Sequence, residues 1–315
     1  MTPRATLETL QGHPVLRFQR TLPHSPIKVW RAITRPTELA AWFPATVQFD
    51  LTPGARIHFT FPEGAPVDDG GTGEVLEVDP PKVFAFRWNS DVLRFELVPT
   101  DDGCVLHFTQ VLGDRLSAGR NAFGWDTCLA VLDAHLDGRT HTPSSEFLAP
   151  LESYIREFHL DEGTFDGTTA HFARDLVWKP ATDIWTLLTG DTNPQVGDAP
   201  PPRATNPHVP TTPLTEVTAP HVLAYGPVRW EITQDPALGT RVELTHTPPA
   251  DADPALVLAA WHAHLELLFA AAFGEIRCPW PQDRTDELHQ HYTHPLASRT
   301  PRHPVSNLQT PPIRE

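Results

Sequence analysis

Few residues of this chain combine the types and the spacing that catalysis requires. His289, His291 and His294 lie two and five residues apart, so they cannot all face one way on a helix, and no carboxylate or cysteine completes a recognisable ligand set. The same objection applies to His262 and His264. No Ser-His-Asp triad, H-E-x-x-H motif, P-loop or dinucleotide-binding glycine motif occurs in a suitable setting. We therefore expect no metal site, no cofactor and no catalytic residue.

Two ionisable residues fall where the strand pattern predicts inward-facing side chains. They are Arg20 and Glu74, which correspond to Arg174 and Glu216 in the second half of the chain. One interpretation is a structural Arg–Glu pair at the sheet edge, and the other is an arginine that meets an anionic group of a ligand. We favour the structural pair because the divergent second half keeps both residues, and removing one member of a buried pair costs about 3–5 kcal/mol.

The second half of the chain repeats the first. An offset of 136 residues relates Trp125, Leu129, Leu132 and Gly138 to Trp261, Leu265, Leu268 and Gly274. A repeat of this length indicates two copies of one domain. The predicted divisions are an N-terminal arm (1–14), a first domain (15–160), a linker (161–164), a second domain (165–295) and a disordered Pro-rich tail (296–315).

Each copy combines strands with a long helix. Alternating apolar residues predict strands at 15–22, 46–51, 55–61, 73–79, 83–88, 92–98 and 104–110, which favours an antiparallel sheet with one wet face. A helix follows at about 117–137, with Trp125 and Leu129 on its apolar face. In the second copy, the Pro-rich segment 190–215 replaces two strands. We expect that copy to be degenerate, with a small or collapsed cavity.

Composition excludes several function classes. The net charge of −15 argues against nucleic-acid and anionic-membrane partners, because both select basic patches. We find no signal peptide, and no segment near the roughly 18 apolar residues of a membrane span. The three cysteines form no disulfide framework, which favours a cytoplasmic location.

One set of motifs resembles a known family. It consists of a strand ending Phe18-x-Arg20-Thr21, a helix with Pro26, Val29 and Trp30, a segment with Thr34, Pro36, Leu39 and Trp42, a strand with Gly73 and Val75, and Gly124-Trp125 heading the long helix. The set is similar to the SRPBCC (START-like, helix-grip) superfamily and, within it, to homologues of the activator of heat-shock protein 90 ATPase. The resemblance covers about 15–160 well and about 165–295 weakly.

The resemblance implies an α+β fold of two tandem helix-grip domains. In each, a curved antiparallel sheet would wrap around a long C-terminal helix and enclose a hydrophobic cavity. The candidate ligand-binding residues of the first domain are Trp42, Phe59, Phe86, Phe95, Phe108, Trp125, Leu129 and Arg20. An aromatic stripe is more often core than site, so Trp125 is interpreted equally as core and as cavity wall.

Three functions follow as hypotheses. The first is binding of a small hydrophobic molecule in the first domain, with the second domain structural. The second is an enzyme like the polyketide aromatase/cyclases, which are also tandem helix-grip proteins and need ionisable groups in the pocket. The third is a co-chaperone or protein-binding role, which rests on the family name alone. The helix 254–273 is apolar beyond its Trp261 face, which predicts packing against the first copy or a second subunit.

Overall fold

The chain folds into two antiparallel sheets, each associated with a long helix. The computed structural model describes residues 4–63, 70–141, 144, 146–190, 192–236 and 238–296. All ladders within the two sheets are antiparallel. The α+β, two-domain helix-grip architecture expected from the sequence is confirmed. The tail predicted at 296–315 lies, except for residue 296, outside the described residues.

The first domain contains an eight-stranded sheet in the order β1-β2-β8-β7-β6-β5-β4-β3. The strands are β1 (Thr6–Leu10), β2 (His13–Leu22), β3 (Thr46–Gln48), β4 (Arg56–Thr60), β5 (Thr72–Asp79), β6 (Val83–Trp88), β7 (Asp91–Thr100) and β8 (Gly103–Val111). The prediction of an N-terminal arm over 1–14 is wrong for β1, because Thr6–Leu10 pairs with β2 at the sheet edge. Its side chains are mostly exposed, so the sequence lacks the apolar alternation that identifies a strand.

Four helices belong to this domain: α1 (Pro26–Thr34), α2 (Pro36–Leu39), α3 (Ala118–Leu136) and α4 (Leu148–Glu157). A 3-10 turn at Arg115–Ser117 precedes α3, and the Asp114 side chain accepts a hydrogen bond from the Ser117 backbone N–H. Beyond α3, Gly138 has a φ of +69°, the left-handed conformation that glycine adopts without strain. These features fix where α3 begins and ends, and therefore how Trp125 faces the sheet.

The second domain repeats this topology in shorter form. Its strands are β9 (Thr164–Phe165), β10 (Ala170–Asp175), β11 (Leu214–Thr218), β12 (Val222–Tyr225), β13 (Val228–Asp235) and β14 (Gly239–His246), and its helices are α5 (Ala181–Thr189), α6 (Pro254–Ala272) and α7 (Gln282–Leu296). The order β9-β10-β14-β13-β12-β11 matches β1-β2-β8-β7-β6-β5. Counterparts of β3 and β4 are missing from the described part of the Pro-rich segment, which forms a 3-10 turn at Pro202–Ala204 before β11 begins at Leu214. The predicted loss of two strands is confirmed.

Helix α6 forms the centre of the second core. Asp253 caps it by accepting a hydrogen bond from the Ala255 N–H. By length and hydropathy α6 could cross a bilayer, contrary to our expectation from the sequence. It is mostly buried, however, and core helices of soluble proteins can have the same length and hydropathy. Helix α7 packs along it, and Leu151 of α4 belongs to the same hydrophobic core, so the apolar rim of α6 is covered partly by the first domain.

Ion pairs and packing join the two domains. Arg120 of α3 lies 3.5 Å from Asp175 of β10, and Arg241 of β14 lies 2.7 Å from Asp114. A third contact joins Arg277 to both carboxylate oxygens of Glu152, at 2.7 and 3.0 Å. Bidentate pairs fix orientation as well as distance. The first two contacts hold the start of α3 against β10 and β14, and the third joins α4 to the segment between α6 and α7.

Candidate functional site

The site is built around a hydrogen bond between α3 and β8. The indole Nε1 of Trp125 donates to Oε1 of Gln110 at 2.8 Å. The amide nitrogen of Gln110 in turn donates to Asp91 at 2.7 Å and to Asn121 at 3.2 Å. This network orients Trp125 on the inner face of the sheet.

A cavity of about 390 Å³ lies beside this network. Strands β6, β7 and β8 contribute Trp88, Leu93 and Gln110, and α3 contributes Trp125 and Cys128. Further apolar walls come from Pro44, Phe61, Phe123 and Phe147. The volume falls within the range of small-molecule sites, which are mostly apolar with a few oriented polar groups.

Asp91 is the ionisable group beside the network. Burial raises the pKa of Asp91, although hydrogen bonds from the Gly113 backbone and from Gln110 oppose the shift. Gly113 N–H donates to Oδ1 at 2.8 Å and Gln110 donates to Oδ2 at 2.7 Å. Since both oxygens accept hydrogen bonds, the Asp91 carboxylate holds the Gln110 side chain in place.

The second domain forms one side of this cavity. Val177, Trp178, Pro236 and Leu238 line it together with Arg120 of α3. The Arg120 guanidinium lies 5.1 Å from the centre of the Trp178 ring and donates to the Leu238 carbonyl at 2.9 Å. Val177 has a φ of +59°, which is unusual for a β-branched residue. The site is therefore composite, with the sheet and α3 on one side and loops of the second copy on the other.

Cys128 places a thiol on the cavity wall. Burial raises its pKa to about 12. Because the thiolate is the nucleophilic form, this cysteine stays protonated and unreactive at neutral pH.

Of the eight residues predicted to bind a ligand, Trp125 lines this cavity. Trp42, Phe59, Phe86, Phe95, Phe108 and Leu129 are buried in the first core. Their rings stack on one another, with Phe95 and Phe108 centred 4.4 Å apart, and Phe108 lies edge-on to Trp125 at 4.8 Å. Aromatic rings thus fill much of the interior that the sequence predicts to be open, and the described cavity lies toward one end, next to the second domain.

Arg20, the eighth predicted residue, forms a different ion pair from the one expected. Its guanidinium donates to Asp126 of α3, which also accepts a hydrogen bond from the Tyr154 hydroxyl. Glu74 is exposed on the outer face of β5, and Glu216 pairs with Arg229. The predicted Arg–Glu pairing is wrong, because Val75 occupies the inward position of β5 and turns Glu74 outward.

The second domain has a different cluster at the position of this ion pair. His262 occupies the place of Asp126, and its Nδ1 lies 2.8 Å from the Tyr292 hydroxyl. Its Nε2 lies 3.3 Å from Asp161 and 3.5 Å from Glu266. The ligand atoms of His262, Asp161 and Glu266 all lie within 4.8 Å of one another. This cluster therefore has the composition of a metal site.

Charge balance favours a structural role for this cluster. Burial works to raise the pKa values of Asp161 and Glu266, but interactions with His262, Arg174 and Arg284 outweigh it, and both lie at about 2. Arg284 lies 2.7 Å from the same oxygen of Glu266 that faces His262. Because Arg284 already neutralises Glu266, a cation bound there would have to displace or repel this guanidinium.

Sequence reasoning missed Asp91 and the mouth residues for different reasons. Asp91 continues the inward alternation of Leu93 and Phe95 by one step, so extending the predicted strand to 91 would have found it. Trp178 and Leu238 lie in loops of the second copy, and no local pattern links them to the first domain.

Comparisons with known proteins give one family match and several similar solved structures. Residues 23–137 match the family described as "Activator of Hsp90 ATPase homolog 1-like protein". No curated protein matches the chain.

Several solved structures are similar to part of the chain. CalU16 from Micromonospora echinospora is 17% identical with a TM-score of 0.40, over 49% of this chain and 93% of that one. A conserved protein of unknown function, EF2215 from Enterococcus faecalis, is 18% identical with a TM-score of 0.42, over 49% and 90%. MLL2253 from Mesorhizobium loti is 28% identical with a TM-score of 0.35, over 41% and 99%.

The matched residues run from just before α1 to just after α3, and include Asp91, Gln110 and Trp125 of the site. This similarity to the activator of Hsp90 ATPase homolog 1-like family covers residues 23–137 and does not extend into the second domain.

Proposed function

We propose that the first domain binds a small, largely apolar molecule between its sheet and α3. The observation that carries this proposal is the cavity of about 390 Å³ at Trp125, which combines aromatic walls with one polar corner. Apolar walls supply affinity by removing ligand surface from water, at roughly 25 cal/mol per Å². The same cavity volume would suit a molecule of one or two rings.

The polar corner gives the ligand an orientation. Gln110, Asn121 and Asp91 are fixed by hydrogen bonds to one another or to the backbone. Trp88, Trp125 and Trp178 present ring faces or edges to the cavity, and such rings favour flat unsaturated ligands. Trp125 is the ligand contact we retain from the sequence prediction, while Phe108 and the rings behind it support that contact.

The second domain has a structural role in this proposal. Val177, Trp178, Pro236 and Leu238 line the cavity, and Arg120 of α3 contacts the Trp178 ring and the Leu238 carbonyl. Cys104, Cys128 and Cys278 are free thiols, which accords with a reducing cytoplasm as the expected location.

Gly124 offers a direct test of ligand binding. It lines the cavity, and a Cβ placed on it would meet no atom within 4 Å. Gly124→Leu should place its side chain in the cavity, and replacing a helical glycine with alanine typically gains about 0.5–1 kcal/mol. The matched control, Gly124→Ala, gains the same helix propensity but leaves most of the cavity open.

The experiment is native mass spectrometry of the full chain expressed in its natural host. We expect a small molecule to accompany the natural protein and Gly124→Ala, and to be lost from Gly124→Leu. Both variants should melt at or above the melting temperature of the natural protein. Recovery of the same molecule from Gly124→Leu, or of no molecule from any of the three, would refute ligand binding in this cavity.

An enzyme of the cyclase/aromatase type is the second candidate, and Asp91 is the observation that favours it. Its pKa is raised by burial, and a carboxyl group so placed can exchange a proton with a ligand. Incubating the purified protein with the extracted molecule separates the two functions. A binding protein returns the molecule with unchanged mass, whereas an enzyme yields a product, and Asp91→Asn would abolish that conversion without preventing binding.

A further inference from the structure

A second cavity, of about 460 Å³, lies in the second domain. Its walls are the C-terminal half of α6 and residues 202–207 of the Pro-rich segment, and we call it the α6 groove. It shares no lining residue with the cavity at Trp125. In the first domain, α2, β3 and β4 occupy the corresponding part of the chain. The groove therefore belongs to the divergent region of the second copy. From the sequence, we expected the cavity of that copy to be small or collapsed.

The floor of the α6 groove is apolar. Leu267, Leu268 and Ala271 line it from α6, and Leu187 lines it from α5. At the rim, Ile276 is 63% exposed. Such a concave surface gains free energy when an apolar body covers it.

Two buried hydrogen-bond donors in the groove residues lack an acceptor. Asn206 is 5% exposed, and its Oδ1 accepts from the His208 N–H at 2.9 Å. Its amide nitrogen, however, has no partner among the described residues, and neither does the indole nitrogen of Trp280. An unsatisfied buried donor costs about 1–3 kcal/mol, and most such groups in folded proteins meet a partner. A ligand with a hydrogen-bond acceptor would supply one.

The charges of the groove favour an anionic acceptor. Arg203 and Arg277 are the charged residues of its lining, and no Asp or Glu lines it. Arg277 is neutralised by Glu152 and Glu275. Arg203 donates to the Leu187 carbonyl at 3.3 Å, and it forms no ion pair with a carboxylate in the described part of the chain. His264, whose pKa burial lowers to about 4, is neutral and lies 2.9 Å from the Arg203 carbonyl.

We propose that the α6 groove binds a small carboxylic acid with an apolar tail. The tail would cover Leu267, Leu268 and Ala271, and the carboxylate would accept hydrogen bonds from Arg203 and from the donors of Asn206 and Trp280. This site is separate from the cavity of the first domain and adds a second ligand class to the protein. A guanidinium with no carboxylate partner is suited to a carboxylate through charge-assisted hydrogen bonds.

The test is an NMR titration of the ¹⁵N-labelled full chain with sodium octanoate, with 1-octanol as the neutral probe of similar length. Each tryptophan has one indole N–H signal, and Trp280→Phe and Trp125→Phe identify the two signals of interest. We expect octanoate to shift the Trp280 signal with saturation, and 1-octanol to bind at least about tenfold more weakly, a difference of about 1.4 kcal/mol. A shift of the Trp125 signal alone would place octanoate in the first-domain cavity and overturn this inference while supporting the proposed function. No saturable shift of the Trp280 signal, or equal binding of the two probes, would also overturn it.

Substitutions separate the carboxylate contact from the apolar contact. Arg203→Gln should weaken octanoate binding about tenfold and leave 1-octanol binding unchanged. Leu267→Trp should fill the groove and weaken binding of both probes. Arg94→Gln, which removes a surface arginine of the first sheet, is the matched control and should change neither. If Leu267→Trp fails to fold, Arg203→Gln still decides, because unchanged octanoate affinity in that variant refutes the carboxylate contact.

Discussion

The indole nitrogen of Trp125 lies 2.8 Å from Oε1 of Gln110, and the second domain reproduces this relationship with a different acceptor. There, the indole nitrogen of Trp261 lies 3.0 Å from Nδ1 of His246, again across 15 residues of sequence. Each bond joins the long helix of its domain to the strand that precedes this helix along the chain, β8 in the first domain and β14 in the second. Glutamine and histidine differ in one respect that matters for stability, since only histidine can take up a proton near neutral pH.

We predict that this difference makes the second domain sensitive to acid. Burial lowers the pKa of His246 from 6.5 to about 4. Between these pH values His246 is protonated in the unfolded chain and neutral in the folded protein. The free energy of unfolding therefore decreases as the pH falls from 6.5 toward 4, by up to about 1.4 kcal/mol per pH unit. His246→Gln should remove this contribution and become more stable relative to the natural protein as the pH is lowered.

The measurement is the difference in urea unfolding free energy between the two proteins from about pH 7 to about pH 5. Taking the difference cancels the opposite contribution of Asp175, whose pKa burial raises to about 6. His107→Gln, on the exposed face of β8, is the control. A difference that does not change with pH would show that His246 is not held neutral.

A second prediction concerns two glycines that share a backbone conformation but differ in surroundings. Gly239 and Gly274 have φ values of +85° and +90°. A Cβ on Gly274 would meet no atom within 4 Å, whereas one on Gly239 would overlap the backbone oxygen of Val177. Gly274→Ala should cost about 1 kcal/mol from conformation alone, and Gly239→Ala at least about 2 kcal/mol because backbone must also move. Equal losses in thermal unfolding would contradict the packing of these two loops.

Arg20 should contribute to stability and not to ligand affinity. Its side chain is 9% exposed and pairs with Asp126, which is 28% exposed. Arg20→Met should destabilise the protein by about 1–3 kcal/mol, less than a fully buried pair because water reaches the carboxylate. Tyr154→Phe removes one hydrogen bond to the same carboxylate and should cost about 1 kcal/mol. Chemical unfolding gives both values, and a loss of ligand from Arg20→Met at unchanged stability would restore the ligand-binding role.

Arg120 should control how firmly the second domain closes the cavity. It interacts with Asp175, Trp178 and the Leu238 carbonyl at once. Arg120→Ala should raise amide hydrogen exchange in β14 and at Leu238, and should speed ligand release, because Trp178 and Leu238 lose their common contact with α3. Arg94→Ala, from an exposed pair with Glu77, provides the control. Unchanged exchange in both variants would show that the domain contact does not depend on Arg120.

Several features of the fold could be predicted from the sequence because they depend on local chemistry. The apolar alternation of Leu93, Phe95 and Leu97 predicts a strand, and all three are buried. Asp253 before Pro254 predicts the start of α6, and the cap forms. The Pro-rich segment predicts the loss of strands, because proline cannot donate to a ladder.

Partner choice could not be predicted in the same way. Arg20 and Glu74 lie on strands that do not pair with each other. A shift of one residue along a strand decides whether a side chain faces the core or water. Asp126 is the partner of Arg20 because α3 crosses β2 at that point, a relationship between residues 106 apart. Within the first domain the extent of the cavity was also unpredictable, since Phe95 and Phe108 are equally apolar whether they line a space or fill it.

The sequence by itself determined that this chain builds the same sheet-and-helix unit twice, because strand alternation, helix caps and the repeated tryptophan are encoded within each segment. Only the tertiary structure decided where space remains. The cavity at Trp125 is closed by Trp178 and Leu238 of the other domain, and the α6 groove exists because residues 202–207 pack beside α6 without forming strands. Cavities are the volume left after distant surfaces meet, so no local pattern of residues specifies them.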